Sequence, residues 1–216
     1  ALAMVETEND VFVDHVSHSI GGFGGHAFRR FTHVSMAVVP YLYYVHGDPI
    51  SSYFSLTPDQ FVSVVALAIL LIEFLRIRLG VVIVGQREYE SEQISALAWG
   101  ALAVSLALLI APREGELMDA GLYGTPIIIG MTIVDPIMGE IKRIKQDLRL
   151  AIIVGLLVSY TIWLTSHFWL GTSLAAVVLL APLTVIGEIP STRIIDDNAT
   201  MILLPLAGLM LIYPFL

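Results

Sequence analysis

The chain has 216 residues, 56% of them hydrophobic and 14% charged, with a mean hydropathy of +0.82. That composition excludes an ordinary water-soluble domain and predicts an integral membrane protein. A net charge of −8 argues against nucleic acid as a partner, and the lack of cysteine removes disulfides, thiolate metal sites and a cysteine nucleophile.

Residues 1–30 lie outside any long apolar run and form a first, cytoplasmic or interfacial segment, leaving 31–216 as the membrane domain. No charged n-region, short apolar core and cleavage site opens the chain, so no secretory leader is expected. Residues 11–20 are mildly amphipathic, which predicts a helix lying in the membrane interface. His15 and His18 belong to that helix face rather than to a metal site. The glycine-rich stretch 21–25 is not followed by Gly-Lys-Ser/Thr, so it reads as a flexible linker and not a phosphate loop.

Apolar runs follow at 31–45, 61–75, 94–111, 120–138, 150–170, 172–187 and 199–216. A spanning helix needs about 20 residues, so the first two are short and the sixth is marginal. An all-α polytopic bundle of about seven transmembrane helices is predicted. With seven spans, one side receives Arg29, Arg30, Arg76, Arg78, Arg87, Lys142, Arg143, Lys145, Arg149 and Arg193, and the other receives Arg113 alone. The positive-inside rule then places the N-terminus in the cytoplasm and the C-terminus outside. The outer loops carry Asp48, Asp59, Glu114, Glu116 and Asp119.

Two acidic motifs stand at span ends on the cytoplasmic side. Asp135 and Glu140, with Lys142 and Arg143, close the fourth run; Asp196, Asp197 and Asn198 precede the last. An ionisable group at membrane depth costs roughly 2.5–3.5 kcal/mol on insertion scales, so such groups tend to be functional. Magnesium takes one or two carboxylates together with phosphate oxygens, and Lys and Arg suit phosphate. Asp135, Glu140, Asp196 and Asp197 are therefore candidate ligands, with Arg30, Lys142 and Arg143 as candidate phosphate clamps. Pro136 disfavours helix at Asp135 and predicts a break there, with Asp135 capping a new helix. Asp197 and Asn198 would cap the last span. Plainer readings exist: a topology anchor at 142–145, a turn at Asp135-Pro136, a simple cap at 196–198. The shared face of the two motifs favours a site. The sequon Asn198-Ala199-Thr200 lies on the cytoplasmic side against the membrane and is discarded.

The polar residues also occur in a telling order. Arg29-Arg30-Phe31-Thr32-His33 opens the first span, Glu73 to Arg76 closes the second, and Arg87 leads toward the third. Asp135-Pro136-Ile137-Met138-Gly139-Glu140 sits mid-chain; Glu188 and Asp197-Asn198, with Pro205 beyond, come late. Over roughly 28–208 this set resembles the CTP-dependent lipid kinases: dolichol kinase, phytol kinase and the yeast-type diacylglycerol kinase. In that family an Arg-(Arg/Lys)-x-x-His element starts a helix, a Gly-Asp-x-x-Ala-x-x-x-Gly element sits mid-chain, and Glu…Asp-Asn-x-x-x-Pro comes late. Val134 stands where the family has Gly, and Gly139-Glu140 replaces its Ala-x-x-x-Gly spacing. The signature of the related phosphatidate cytidylyltransferases is absent, and the chain looks like a compact microbial or archaeal member.

The resemblance implies magnesium-dependent transfer of the CTP γ-phosphoryl group to a long-chain lipid alcohol such as dolichol or polyprenol. The enzyme would sit in the cell membrane, or in an endoplasmic-reticulum-type membrane, with its active face cytoplasmic. It implies Asp135 and Asp197 at magnesium with Glu140 as a further ligand, and His33 or Glu188 as base. Arg29, Arg30, Arg87, Lys142, Arg143 and Asn198 would bind nucleotide and phosphate. Small residues in 96–103 and 121–130 would shape a groove for the lipid. CTP rests on the resemblance alone. The alternatives are a cytidylyltransferase making a CDP-lipid and, outside enzymes, a small membrane transporter.

Overall fold

The structure, a computed structural model, describes residues 20–189 and 195–216. The expected interfacial helix with His15 and His18, and Arg193, lie outside them. The described residues are mostly helical, joined by loops, and contain no β-strand. Eight α-helices are found among them: α1 (Gly22–Ser35), α2 (Val39–Ser52), α3 (Pro58–Leu79), α4 (Ala96–Ile110), α5 (Gly124–Lys145), α6 (Leu148–Leu170), α7 (Leu174–Glu188) and α8 (Asp197–Ile212). Four segments are long and apolar enough to cross a membrane: Pro58–Leu79, Gly124–Lys145, Leu148–Leu170 and Asp197–Phe215. The helices α4 and α7 are equally apolar in character but have 15 residues each.

Local chemistry sets the helix ends. Thr57 and Gln60 form a reciprocal capping box ahead of α3, Pro58 takes the first helical position, and Gly80 ends the helix in a left-handed conformation at φ 62°. Ser95, Asp147, Ser173 and Asp196 cap α4, α6, α7 and α8. Near the middle of the chain, α5 is the most enclosed of the long helices, burying Ile127, Ile128, Met131, Val134 and Met138 completely.

Contacts along the helices show that neighbours run antiparallel. Gly155 of α6 faces Met138 of α5, while Ser166 near the other end of α6 donates to the Leu122 carbonyl. Gly187 of α7 faces Met201 of α8, and Leu183 and Leu180 face Gly208. Small residues at these crossings let helices approach without a hydrophobic driving force between them. The polar groups consequently collect at two ends of the bundle.

Three expectations are corrected. The fourth apolar run is not broken: α5 continues through Pro136 as one helix. The missing proline N–H leaves the Thr132 carbonyl without its helical donor, a loss that helices within a bundle tolerate; nearby, His33 Nε2 of α1 lies 3.3 Å from the Met131 carbonyl. The glycine stretch 21–25 is no linker, since Gly22 begins α1. A Cβ on Gly25 would lie 2.1 Å from the Ile20 carbonyl oxygen and 3.2 Å from the Gly85 nitrogen, so glycine permits a tight backbone crossing. Finally, the N-cap of α8 is Asp196, whose side chain accepts from the Asn198 N–H; Asp197 and Asn198 already belong to the first turn.

Candidate functional site

Three carboxylates from three helices converge at one end of the bundle. Asp135 of α5, Glu188 at the last position of α7 and Asp197 at the first position of α8 each place an oxygen within 4.8 Å of the others. The join between α7 and α8 makes this possible. A Cβ on Gly187 would fall 2.6 Å from Met201 Cα and 2.7 Å from the Thr200 carbonyl oxygen, so only glycine allows the backbones to close. Thr200 Oγ1 then ties the Gly187 carbonyl (2.5 Å) to the Asp197 carbonyl (3.0 Å).

One face of α5 supplies the rest. Asp135, Met138 or Gly139, and Lys142 recur at helical spacing and point the same way. Lys142 Nζ donates to Glu188 Oε1 at 2.7 Å. Gly139 clears room for Arg30, whose Nη2 would lie 2.9 Å from a Cβ there; Arg30 Nη1 stands 3.8 Å from Asp135 Oδ2. His33 Nε2 lies 3.4 Å from the same Asp135 oxygen and 3.3 Å from the Met131 carbonyl. Both of those neighbours are acceptors, which places an imidazole proton on Nε2.

The trio is under-neutralised. Glu188 is 4% exposed, and its Oε2 has no hydrogen-bond partner. A buried carboxylate oxygen without a donor is costly unless a cation completes it. The C-terminal end of α7 adds its own negative dipole end. Hard oxygen ligands with an excess of negative charge fit magnesium or a similar divalent cation. Charges of Lys142, Arg29 and Arg87 act on Asp197 from around it. Asp196, outside the helix, is driven well above the ordinary aspartate range, first by burial and then by the charge of Asp197 beside it.

Not every expected residue joins. Glu140 is corrected as a ligand: it pairs with Arg143 on its own helix, and both side chains are about two-fifths exposed. Five residues after Asp135 on an unbroken helix, Glu140 points some 140° away from it. Glu188, expected as a base, lies with Asp135 and Asp197 and could serve as a third ligand. Arg29 is paired with Glu90 at 2.9 Å, a partner 61 residues away along the chain. Arg87 lies in the loop before α4, where its N–H donates to Glu90 Oε1. Asn198 is buried, with Nδ2 donating to the Ala96 carbonyl and Oδ1 left without a partner.

Comparison with protein-family models, with curated proteins and with solved structures finds no match to this chain. The arrangement of three carboxylates, a lysine and an arginine at the mouth of an apolar bundle is suited to holding a cation and the phosphates that accompany it.

Proposed function

We propose that this chain is a membrane-embedded, magnesium-dependent phosphotransferase that moves the γ-phosphoryl group of CTP to a long-chain lipid alcohol. The observation that carries the reading is the trio Asp135, Glu188 and Asp197 with its unpartnered Glu188 oxygen, flanked by Lys142 and Arg30. Phosphoryl transfer needs mainly positioning and charge neutralisation, and no covalent enzyme intermediate. A magnesium ion held by the three carboxylates would neutralise charge on the transferred group. Arg30 and Lys142 orient phosphate oxygens. His33, with its proton on Nε2, offers Nδ1 to the hydroxyl proton of the acceptor. Choice of CTP rests on the resemblance in motif order. We further propose seven spans, counting α1 with α2 as one, with the N-terminus and the site on the cytoplasmic face, as the distribution of Lys and Arg supports.

The test is incubation of the purified protein in detergent with magnesium, a mixed isoprenoid-alcohol extract and γ-labelled CTP or ATP, beside Asp135→Asn. Label entering the lipid phase from CTP, lost with EDTA and in the variant, is the expected result. Pyrophosphate release with CDP-lipid would transfer the assignment to a cytidylyltransferase. No turnover of either nucleotide with any alcohol would leave the transporter reading.

A further inference from the structure

Two cavities with Met36 as a common wall residue lie on the side of the bundle formed by α1 to α4. A small one of about 40 Å³ is lined by Arg29, His33, Glu90, Asn198 and Met36 among others. A larger apolar one of about 350 Å³ lies between α2, α3 and α4, and Met36 lines it too. Gly100 of α4 lies against this junction: a Cβ there would make ordinary contact with Asn198 Cβ at 3.5 Å and Met36 Cε at 3.7 Å. A larger side chain would press on both. Methionine is the side chain best able to yield at such a passage. Beyond it, the groove runs past Val65, Ala101 and Ser105 to Tyr43 and Pro58.

Each end of this channel has its own chemistry. At the inner end, Asn198 Oδ1 is a buried acceptor without a donor, on a residue 5% exposed. At the outer end, Tyr43 is hydrogen-bonded to Asp59 and to Arg113, and a hydrocarbon tail gains nothing by entering that charged cluster. Between them, the groove follows α2 from Met36 to Ile50, roughly 21 Å at 1.5 Å per residue.

Resting on the lipid-alcohol reading above, we propose that this groove holds the hydrocarbon tail of the acceptor. The tail lies between α2, α3 and α4, its hydroxyl passes Met36 to Asn198 Oδ1 and His33, and the Tyr43 cluster limits its length. An extended chain advances ~3.5 Å per three bonds, so a four-bond isoprene unit advances about 4.5 Å and roughly four or five units fill the groove. An alcohol of geranylgeraniol length fits end to end; a dolichol-length tail must leave through the open side. A hydroxymethyl group suits the small inner chamber, whereas a phospholipid headgroup exceeds it. That difference selects the substrate alcohol over bulk lipid as the occupant.

The experiment is photolysis of a diazirine-bearing geranylgeraniol with the full chain in phospholipid nanodiscs, without nucleotide, followed by mapping of the labelled residues. Label is expected on Val65, Ala101 and Ser105, competed by unlabelled geranylgeraniol and lost in Ala101→Phe. Val65→Phe, on a side chain that is partly exposed on α3, gives the same loss in a variant whose folding is not at issue. Label spread evenly over outward-facing residues such as Leu71, Leu157 and Leu211, or unchanged in both variants, overturns the proposal. Because no nucleotide is present, groove labelling without phosphoryl transfer supports the tail site while removing the kinase reading. Phosphoryl transfer with the label elsewhere does the reverse.

Discussion

Replacing Glu188 by glutamine separates a ligand from a structural acid. The oxygens of the trio lie no farther than 4.8 Å apart. With all three ionised, each pair repels by at least about 3.5 kcal/mol at an effective dielectric near 20, so Glu188 meets about 7 kcal/mol from its two neighbours. Its contact with Lys142 at 2.7 Å offsets this by about 6 kcal/mol on the same scale. Lys142 is not stranded by the change, because the charges of Asp197 and Asp135 still act on it. Stability without a cation should therefore fall little, because at least about 7 kcal/mol of repulsion opposes about 6 kcal/mol of attraction. Cation affinity is another matter. A dication roughly 3 Å from the lost charge gives up about 11 kcal/mol on this scale, and the amide oxygen replaces part of it. Even a quarter of that loss is about a hundredfold in Kd. Manganese, as a paramagnetic stand-in for magnesium, can be titrated by EPR in detergent, with melting in EDTA measured alongside. Glu188→Gln should lose affinity while melting near the wild-type temperature, and Glu140→Gln should keep both. Wild-type affinity in Glu188→Gln, or a loss in Glu140→Gln, would refute the assignment of the trio.

Other outcomes follow from single contacts. Asp196 is more easily protonated folded than unfolded, so it lowers stability as pH rises from the ordinary value of 3.8 through its raised folded value. Asp196→Asn keeps an oxygen for the α8 cap and erases that slope. In EDTA its melting temperature should match the wild type near pH 4 and exceed it toward neutrality; the opposite trend would show that burial is not what raises the group. Arg76 donates to both Glu73 oxygens and to the Val81 and Gln93 carbonyls, while the Ser95 N–H donates to Glu73. Arg76→Ala should cost about 3–5 kcal/mol. Joint replacement by Glu73→Leu and Arg76→Met should not rescue it, because three backbone groups lose partners; recovery on chemical denaturation would mean the pair acts alone. Gly187→Ala should destabilise the fold by about 1–3 kcal/mol or more through backbone overlap, and weaken manganese binding by moving Glu188. Gly24→Ala, with open space around it, should gain up to about 1 kcal/mol in helix propensity.

The helices were legible where apolar runs and caps coincide, as at Thr57-Pro58 through Gly80. Asp135 and Asp197 were legible as a pair because acids at the ends of apolar runs are expensive. The third member was misread for a traceable reason. A break at Pro136 would have reset the helical phase, freeing Glu140 to turn back toward Asp135. On the continuous helix actually formed, the same five-residue spacing sends Glu140 to the far side, against Arg143. Glu188 comes from a different helix, and its approach depends on the Gly187 crossing with Thr200 and Met201. Contacts between distant parts of the chain leave no periodic trace in sequence. The Arg29–Glu90 pair, 61 residues apart, was hidden for the same reason.

The two polar ends of the bundle differ in a way that favours the carboxylate trio as the candidate site. Far from the trio, Asp59 is met by Arg113 at 2.8 Å and by Tyr43, and Arg113 also donates to the Leu108 carbonyl. One negative charge faces one positive charge there, although the buried hydroxyl of the adjacent Tyr44 has no partner. The set ties α2, α3 and the end of α4 to one another. At the trio the balance fails. Three acids share Lys142 as their one hydrogen-bonded cation among the described contacts, Arg30 stands back at 3.8 Å, and the deepest acid keeps an oxygen without a donor. Both ends use the same residue types and both join several helices. What differs is the acid: Asp59 is matched by Arg113, whereas the near end gathers three carboxylates and leaves a Glu188 oxygen without a donor that a bound cation would complete.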